Sequence, residues 1–419
     1  MTTSTMPQNT AQDSDRLTQR QRAHERAPRS SGFSLGSILG VKIRVDWSLL
    51  IIFALVVFNL GAGFFPRLHP DWAGLPAWGL AVAAATLFFA SVLVHELSHA
   101  AVARAYGIEV DGITLFLFGG VTHMGGEPPS PKAEFLVAGA GPLTSAIIGI
   151  VAIWVGQALA GDALPSSLGD GQEAMMAALA DLSPVASLLL WLGPINLLLA
   201  VFNVVPGFPL DGGRVLRAIL WRLTGDFTKS TRWASGAGQG FAWFLMAIGV
   251  MNLLSGAPVQ GVWMLLIGWF LNNAARMSYE RLLTHQALSG VPVRRLMRTE
   301  IRRVPPDLRL DELVSNHLMA TDQQSFPVED EGRLLGLVCL EDLRRIPQAE
   351  WPTTAVSRVM TPTEELHALP PEAAAEQALD KLAEGDVGQI PILEHEHLLG
   401  LLRRQDLMKW LSLHAPSRA

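Results

Sequence analysis

Charged side chains are scarce in this chain: only 17% of its 419 residues are Asp, Glu, Lys or Arg, where soluble domains average about 25%. A shortage of that size over such a length excludes an ordinary water-soluble globule. Cysteine is nearly absent, with Cys339 alone, so there is no intramolecular disulfide and no zinc site built from two or four thiolates. Any metal must be held by imidazoles and carboxylates. Nor is there a surplus of cations. The 32 Lys and Arg against 38 Asp and Glu leave a net charge of −6, which offers nothing to a polyphosphate backbone and excludes nucleic acid as an expected partner.

What the chain has instead is apolar residues, 49% of the total, and they are segregated from the charges. Leu288 to Ala419 holds 15 Lys and Arg and 21 Asp and Glu, while the first 287 residues hold 17 of each. A charge-poor body is therefore followed by an acidic, normally charged tail. Residues 1–33 are polar and Arg-rich, too poor in apolar groups to offset the entropy of ordering, and are expected to form a disordered arm. The arm lacks the apolar core and small-residue cleavage site of a secretory signal.

Uncharged runs long enough for a bilayer, which needs about 20 helical residues, cover Trp47 to Phe65, Ala73 to Val94, Phe135 to Gly161, Leu182 to Leu210 and Trp233 to Ala275. The last is broken by Ser255-Gly-Ala-Pro258 into two, making about six transmembrane helices. Lys and Arg cluster in the arm and just after it (Arg16, Arg20, Arg22, Arg26, Arg29, Lys42, Arg44) and after the fourth run (Arg214, Arg217, Arg222, Lys229, Arg232), whereas 161–181 and 255–260 have none. This asymmetry predicts a multi-pass protein of the plasma membrane with both termini cytoplasmic. Between the second and third runs, Ile113 to Gly126 (ITLFLFGGVTHMGG) is apolar, glycine-interrupted and too short to span. It is expected to form a re-entrant β-hairpin, whose residues Leu115 to Phe118 could pair with an unwound substrate segment. His123 within it is a candidate extra polar group at the site, with a packing or surface role preferred.

The chemistry sits in SVLVHELSHA, Ser91 to Ala100. On a helix His95 and His99, four apart, share a face and can offer two imidazoles to one ion, and Glu96 can reach a metal-bound water without binding the metal. Ionisable groups at the end of a 22-residue apolar run are expensive in a membrane and mark function. Two histidines leave catalytic zinc one protein ligand short. The candidate is Asp211, in FNVVPGFPLDGG, the first charge after 29 uncharged residues; it follows Pro206 and Pro209, where a helix must break, and broken backbone at membrane depth lines a cavity.

These two motifs, each on its own run, resemble the site-2 protease family of intramembrane metalloproteases, with the resemblance covering roughly residues 40–275. It implies that His95, His99 and Asp211 bind one Zn2+ per chain and that Glu96 is the general base. Asn203, eight residues before Asp211, would hold the substrate carbonyl or its oxyanion. The implied activity is hydrolysis of peptide bonds in or near the transmembrane segments of single-pass proteins in the lipid bilayer, such as membrane-bound anti-sigma factors or transcription regulators. The segment 161–181 is too short to contain a PDZ-like domain.

The tail repeats itself at an offset of 63 to 64 residues: Leu296-Met297, Phe326-Pro327-Val328, Gly336 and Asp342 against Val359-Met360, Ile390-Pro391-Ile392, Gly400 and Asp406. Each copy reads as a helical stretch, a strand, an acidic turn, a second strand (Leu334 to Cys339, Leu398 to Leu402) and a helix. This resembles a pair of cystathionine-β-synthase (CBS) domains, an α/β module that commonly binds an adenosine nucleotide. The resemblance implies ribose contacts from Asp342 and Asp406, but the hydroxyl residue of the nucleotide signature is replaced by Cys339 and Arg403. An empty dimerisation or docking module, giving a homodimer through the tail, is the alternative. The expected organisation is thus an arm (1–33), a polytopic α-helical membrane domain with the hairpin (34–287), and a cytoplasmic α/β CBS domain pair (288–349 and 350–414) that modulates activity. A CBS-gated transporter or channel and a catalytically silent membrane scaffold are the competing functions.

Overall fold

A computed structural model describes residues 32–72, 74–161, 180–384, 388–395 and 397–414. The expected arm up to residue 31 and most of the 161–181 loop lie outside the described residues. Contacts divide the chain into a unit covering Ser30–Glu280 and a second covering Arg281–Ala419.

The first unit opens with β1 (Gly32–Ile38) and β2 (Val41–Asp46), so the last two residues assigned to the arm are already strand. Asp46 then caps α1 (Trp47–Asn59) by accepting from the Ser48 N–H, 2.9 Å, which satisfies one of the free donors of the first turn. α1 continues through a π-helical turn to Leu68, giving a 22-residue apolar helix. α2 (Leu75–Ala105) carries HELSH in its second half. After β3 (Val110–Phe116) and β4 (Gly119–Met124) come α3 (Pro131–Ala160) and α4 (Pro184–Val204). Ser130 caps α3 and Ser183 caps α4. A short α5 (Asp211–Thr224), α6 (Phe227–Leu254) and α7 (Pro258–Leu288) follow.

Among the described residues, five helices are long and apolar enough to cross a membrane: α1 with its extension, α2, α3, α4 and α6. They coincide with the first five expected runs. The sixth run is helical too, as α7, but its apolar first half gives way to Asn272, Asn273 and Arg276. Large apolar side chains stand on outward faces, including Ile51, Ile147, Trp154, Leu198, Trp243 and Met251. Facing water, such surface would be an aggregation liability; facing lipid, it is the ordinary exterior of a membrane bundle.

The four strands form one sheet in the order β1-β2-β3-β4, with β2 and β3 parallel and the other pairs antiparallel. Val41, Ile43 and Val45 alternate inward from β2 and pack with Ile113 and Leu115 of β3 against Val92, Ala100 and Ala103 of α2. The hairpin is therefore present, but its expected role needs correction. β3 is paired on both sides, Leu115 with Val45 and with Gly120, and residues 117 and 118 form the turn. Leu115 to Phe118 has no edge left for a substrate; β4 is the strand of the hairpin with an open edge.

In the second unit the duplication is plain in the register. β5 (Ser325–Asp330) and β6 (Arg333–Cys339) pair Phe326 with Val338 and slip by one residue after Val328. β7 (Gln389–Glu394) and β8 (His397–Arg403) pair Ile390 with Leu402 and slip after Ile392. Short helices follow each, α8 (Leu340–Arg344) and, after α9 (Ala375–Glu384), α10 (Arg404–His414). Gly336 of the first copy lies against Met360 and the Thr361 carbonyl, and Gly400 of the second against Met297 and the Arg298 carbonyl. Each copy thus receives the other's opening segment, and the recurring glycine is where backbone meets backbone too closely for a Cβ. Leu334, Leu337, Leu398 and Leu401 form the apolar core shared by the copies.

Candidate metal centre

His95, Glu96 and His99 are buried on α2, at 4%, 8% and 3% exposure. The i, i+4 spacing brings the two Nε2 atoms to 3.2 Å. Asp211 is the first residue of α5, where a carboxylate is favoured by the helix dipole. The preceding residues wind into a tight turn, with Leu210 N–H donating to Gly207 O (3.1 Å) and Phe208 N–H to Ala234 O of α6 (3.2 Å). Added Cβ atoms on Gly212 or Gly213 would strike the backbone of residues 204–208, so the glycines are what lets α5 start against that turn. Its outcome is that Asp211 Oδ2 lies 3.2 Å from each imidazole Nε2.

The opposite ring nitrogens are held by α3. His95 Nδ1 meets Ser145 Oγ at 2.8 Å and His99 Nδ1 meets Val137 O at 2.6 Å. A carbonyl only accepts, so His99 Nδ1 carries a proton and, in the neutral ring, Nε2 presents a lone pair. That lone pair faces a second imidazole nitrogen and a carboxylate oxygen. With Ser145 Oγ accepting from His95 Nδ1, three electron-rich atoms converge, and they repel one another unless a cation lies among them. The fit to zinc is close: donors about 2.0–2.1 Å from a tetrahedral ion are about 3.3–3.4 Å from each other, and all three edges here are 3.2 Å. Gly141 of α3 leaves the remaining room, because an added Cβ would collide with Nε2 of both His95 and His99.

Glu96 points toward the sheet, where Thr122 Oγ1 of β4 donates to Oε2 at 2.7 Å and Gly120 lies directly against the carboxylate. The open strand edge and the candidate base are thus neighbours. Asn203, in the last turn of α4, donates from Nδ2 to Leu199 O at 3.1 Å. His123 is exposed on β4, its ring 3.0 Å from Thr114 Oγ1, in keeping with a surface role. Asp342 and Asp406 lie in the second unit and take no part in this cluster.

Sequence reading missed the platform beneath the ligands. Glu134, Val137, Gly141 and Ser145 recur at spacings of three and four along α3, the helical period, and that stripe was the available signal. Glu134 is fully buried and its Oε1 accepts from Arg217 of α5, from Nε at 2.7 Å and from Nη2. The guanidinium is also stacked over Phe208 and Phe227, 5.0 and 4.5 Å from their ring centres. One helix therefore orients both histidines and clamps the helix that carries Asp211. Glu134→Ala leaves a cation without its carboxylate in an enclosed site, and loss of one partner of a buried pair typically costs about 3–5 kcal/mol. The expected result is a clear fall in thermal midpoint together with about 10–100-fold weaker zinc binding; unchanged zinc affinity in folded variant would show that the clamp does not set the position of Asp211.

The fold and cluster define a multi-pass membrane protein with a buried two-histidine, one-carboxylate site. Residues 83–248 match the model of peptidase family M50, and residues 293–348 and 356–413 match the CBS domain. The Mycobacterium tuberculosis protein Rip3, named as a zinc metalloprotease, is 34% identical over 91% of this chain and 93% of its own length. The Synechocystis protein sll0528, named in the same way, is 30% identical over 92% and 97%. The solved site-2 protease of Methanocaldococcus jannaschii is 29% identical, covering 59% of this chain and 95% of that one, with a TM-score of 0.40. The chain belongs to peptidase family M50, the site-2 protease family, and carries a C-terminal CBS domain pair.

Proposed function

We propose that this protein is a zinc-dependent intramembrane endopeptidase of the plasma membrane that cuts single-pass membrane proteins in or near their transmembrane segments. The observation that carries the reading is the convergence of His95, His99 and Asp211 at 3.2 Å from one another beside Glu96. His95, His99 and Asp211 are the ligands of one zinc ion. Zinc bound there activates water and polarises the peptide carbonyl.

The remaining work falls to the chain. Glu96 accepts a proton from the attacking water and returns it to the leaving amine, with the Thr122 hydroxyl fixing the orientation of its carboxylate. Asn203 holds the substrate carbonyl oxygen; an amide has two N–H donors, and the bond to Leu199 O uses one. The substrate is unwound and pairs with the edge of β4, since a helical peptide bond is shielded by its own turns. Both termini are cytoplasmic, which places the tail on the side where a released anti-sigma factor or transcription regulator would act. The tail pairs two chains and tunes the rate, with the arm, membrane domain and two CBS copies divided near residues 33, 287 and 349. If Leu288 to Ala419 is removed, rate or substrate choice is expected to change on a panel of membrane-anchored substrates; identical profiles would remove the regulatory role.

The direct test is bound zinc in detergent-purified protein never exposed to chelator. Wild type is expected to hold about one zinc per chain and Asp211→Ala to lose at least about 100-fold in affinity, since three protein ligands are the usual complement of a catalytic site. A folded wild type without zinc sinks the proposal, as does an Asp211→Ala variant that binds like the parent.

A further inference from the structure

The second CBS copy has a feature at odds with the ligand its family implies. Asp406, the residue that would grip a ribose, is already engaged on both oxygens. Oδ2 accepts from Arg403 Nε at 3.0 Å and from the Arg403 backbone N–H at 3.3 Å; Oδ1 accepts from Arg403 Nη2 at 3.1 Å and from Arg298 Nε at 3.4 Å. Arg403 Nη1 and Arg298 Nη1 also reach Asp322, at 3.7 and 3.4 Å. Arg298 and Asp322 belong to the first copy, Arg403 and Asp406 to the second, so four charges bridge the copies.

The inner pair is sheltered, with side-chain exposures of 11% for Arg403 and 13% for Asp406, whereas Asp322 is 76% exposed. A fork-to-carboxylate contact of this kind is both directional and strong for its class. Hydrogen bonding to Asp406 holds the Arg403 guanidinium above its usual value. Burial acts to raise Asp406, but its bonds to Arg403 outweigh that and hold the carboxyl below the usual range. Both are therefore charged at neutral pH, and the pair is lost only as acid protonates the carboxylate.

The space left is small. The cleft lined by Arg298, Arg302, Thr321, Gln323, Gln389 and Arg403 encloses about 120 Å3, whereas sites for ligands of nucleotide size run from about 300 Å3 upward. Its three arginines face Glu300 and Asp322 in the lining, and two of them, Arg298 and Arg403, are already bonded to Asp406, which leaves little positive charge free for a phosphate chain. In the first copy, Asp342 likewise reaches back to its N-cap, accepting from the Cys339 N–H at 2.9 Å; each aspartate is the third residue of its own helix and satisfies the N-cap N–H.

We propose that Arg403 is a resident substitute for the nucleotide: its ion pair with Asp406, tied to Arg298 and Asp322, closes the second CBS cleft and clasps the two copies together, so this half of the tail does not take an adenosine nucleotide. The consequence is a tail whose joined state does not depend on adenylate supply at this cleft.

The test uses the full chain in detergent and calorimetric titration with ATP, ADP and AMP. Arg403→Thr removes the guanidinium with its bonds to both Asp406 oxygens and places a hydroxyl at the signature position. It is expected to bind one more nucleotide per chain than wild type, at least about tenfold tighter than any residual wild-type binding at that cleft. An unchanged or reduced stoichiometry in Arg403→Thr whose far-ultraviolet circular dichroism matches wild type overturns the proposal. The unaltered protein supplies a second check that no folding defect can obscure. An azido-adenine photoprobe that labels residues 388–414 of wild type overturns the clasp, and absence of label there supports it.

Discussion

Glu96→Gln is expected to abolish peptide hydrolysis while leaving about one zinc bound per chain. The carboxamide has the shape of the carboxylate and can still accept from Thr122 Oγ1, which lies 2.7 Å from the native oxygen. What it cannot do is take a proton from water or deliver one to the leaving amine. A positioned acid–base group is worth about 10²–10⁴ in rate, so turnover of a membrane-embedded test substrate should fall by at least that factor. Metal content should not move, because Glu96 lies beside the three-atom cluster and not within it. Cleavage within tenfold of wild type would mean that another group carries the proton.

The second large effect is expected at a residue with no functional group. Gly141→Ala places a methyl carbon against Nε2 of both His95 and His99, in the space toward which the two lone pairs point. The neighbouring atoms are ring nitrogens anchored through Nδ1 to Ser145 and Val137, so neither ring can retreat without giving up that bond. α3 cannot back away cheaply, since Glu134 ties the same helix to Arg217. Zinc content is expected to drop to a small fraction of one per chain, and hydrolysis with it, in protein that is still helical. Alanine is the better helix former, which separates loss of the site from loss of the helix. Stoichiometric zinc in Gly141→Ala would show that the ligands converge elsewhere than the space bounded by this glycine.

Much of this was readable in the chain because the signals were local. Five of the six expected spans became long apolar helices because length and hydropathy suffice for a helix in lipid, where the backbone must satisfy its own hydrogen bonds. The tail's duplication survived as duplicated register, down to the slips after Val328 and Ile392. The substrate-pairing strand was misplaced because an apolar run carries no record of its neighbours: nothing in Leu115 to Phe118 shows that β2 arrives from some 70 residues earlier to cover its other edge. The roles of Glu134, Val137, Gly141 and Ser145 were hidden for the same reason. A glycine or a main-chain carbonyl in an apolar helix means little until the residues opposite are known.

The pair of imidazoles follows from spacing alone, since i and i+4 meet on any helix, and a lone charge after broken backbone nominated Asp211. That Asp211, 112 residues beyond His99, lies 3.2 Å from it is a product of the fold. That distance comes from α3 holding α2 through two ring nitrogens and α5 through one buried ion pair, contacts between segments whose separation along the chain leaves no local trace. In the tail, likewise, the sequence supplied both aspartates and the odd Arg403, and the fold alone turned that arginine back onto Asp406 and across to the other copy.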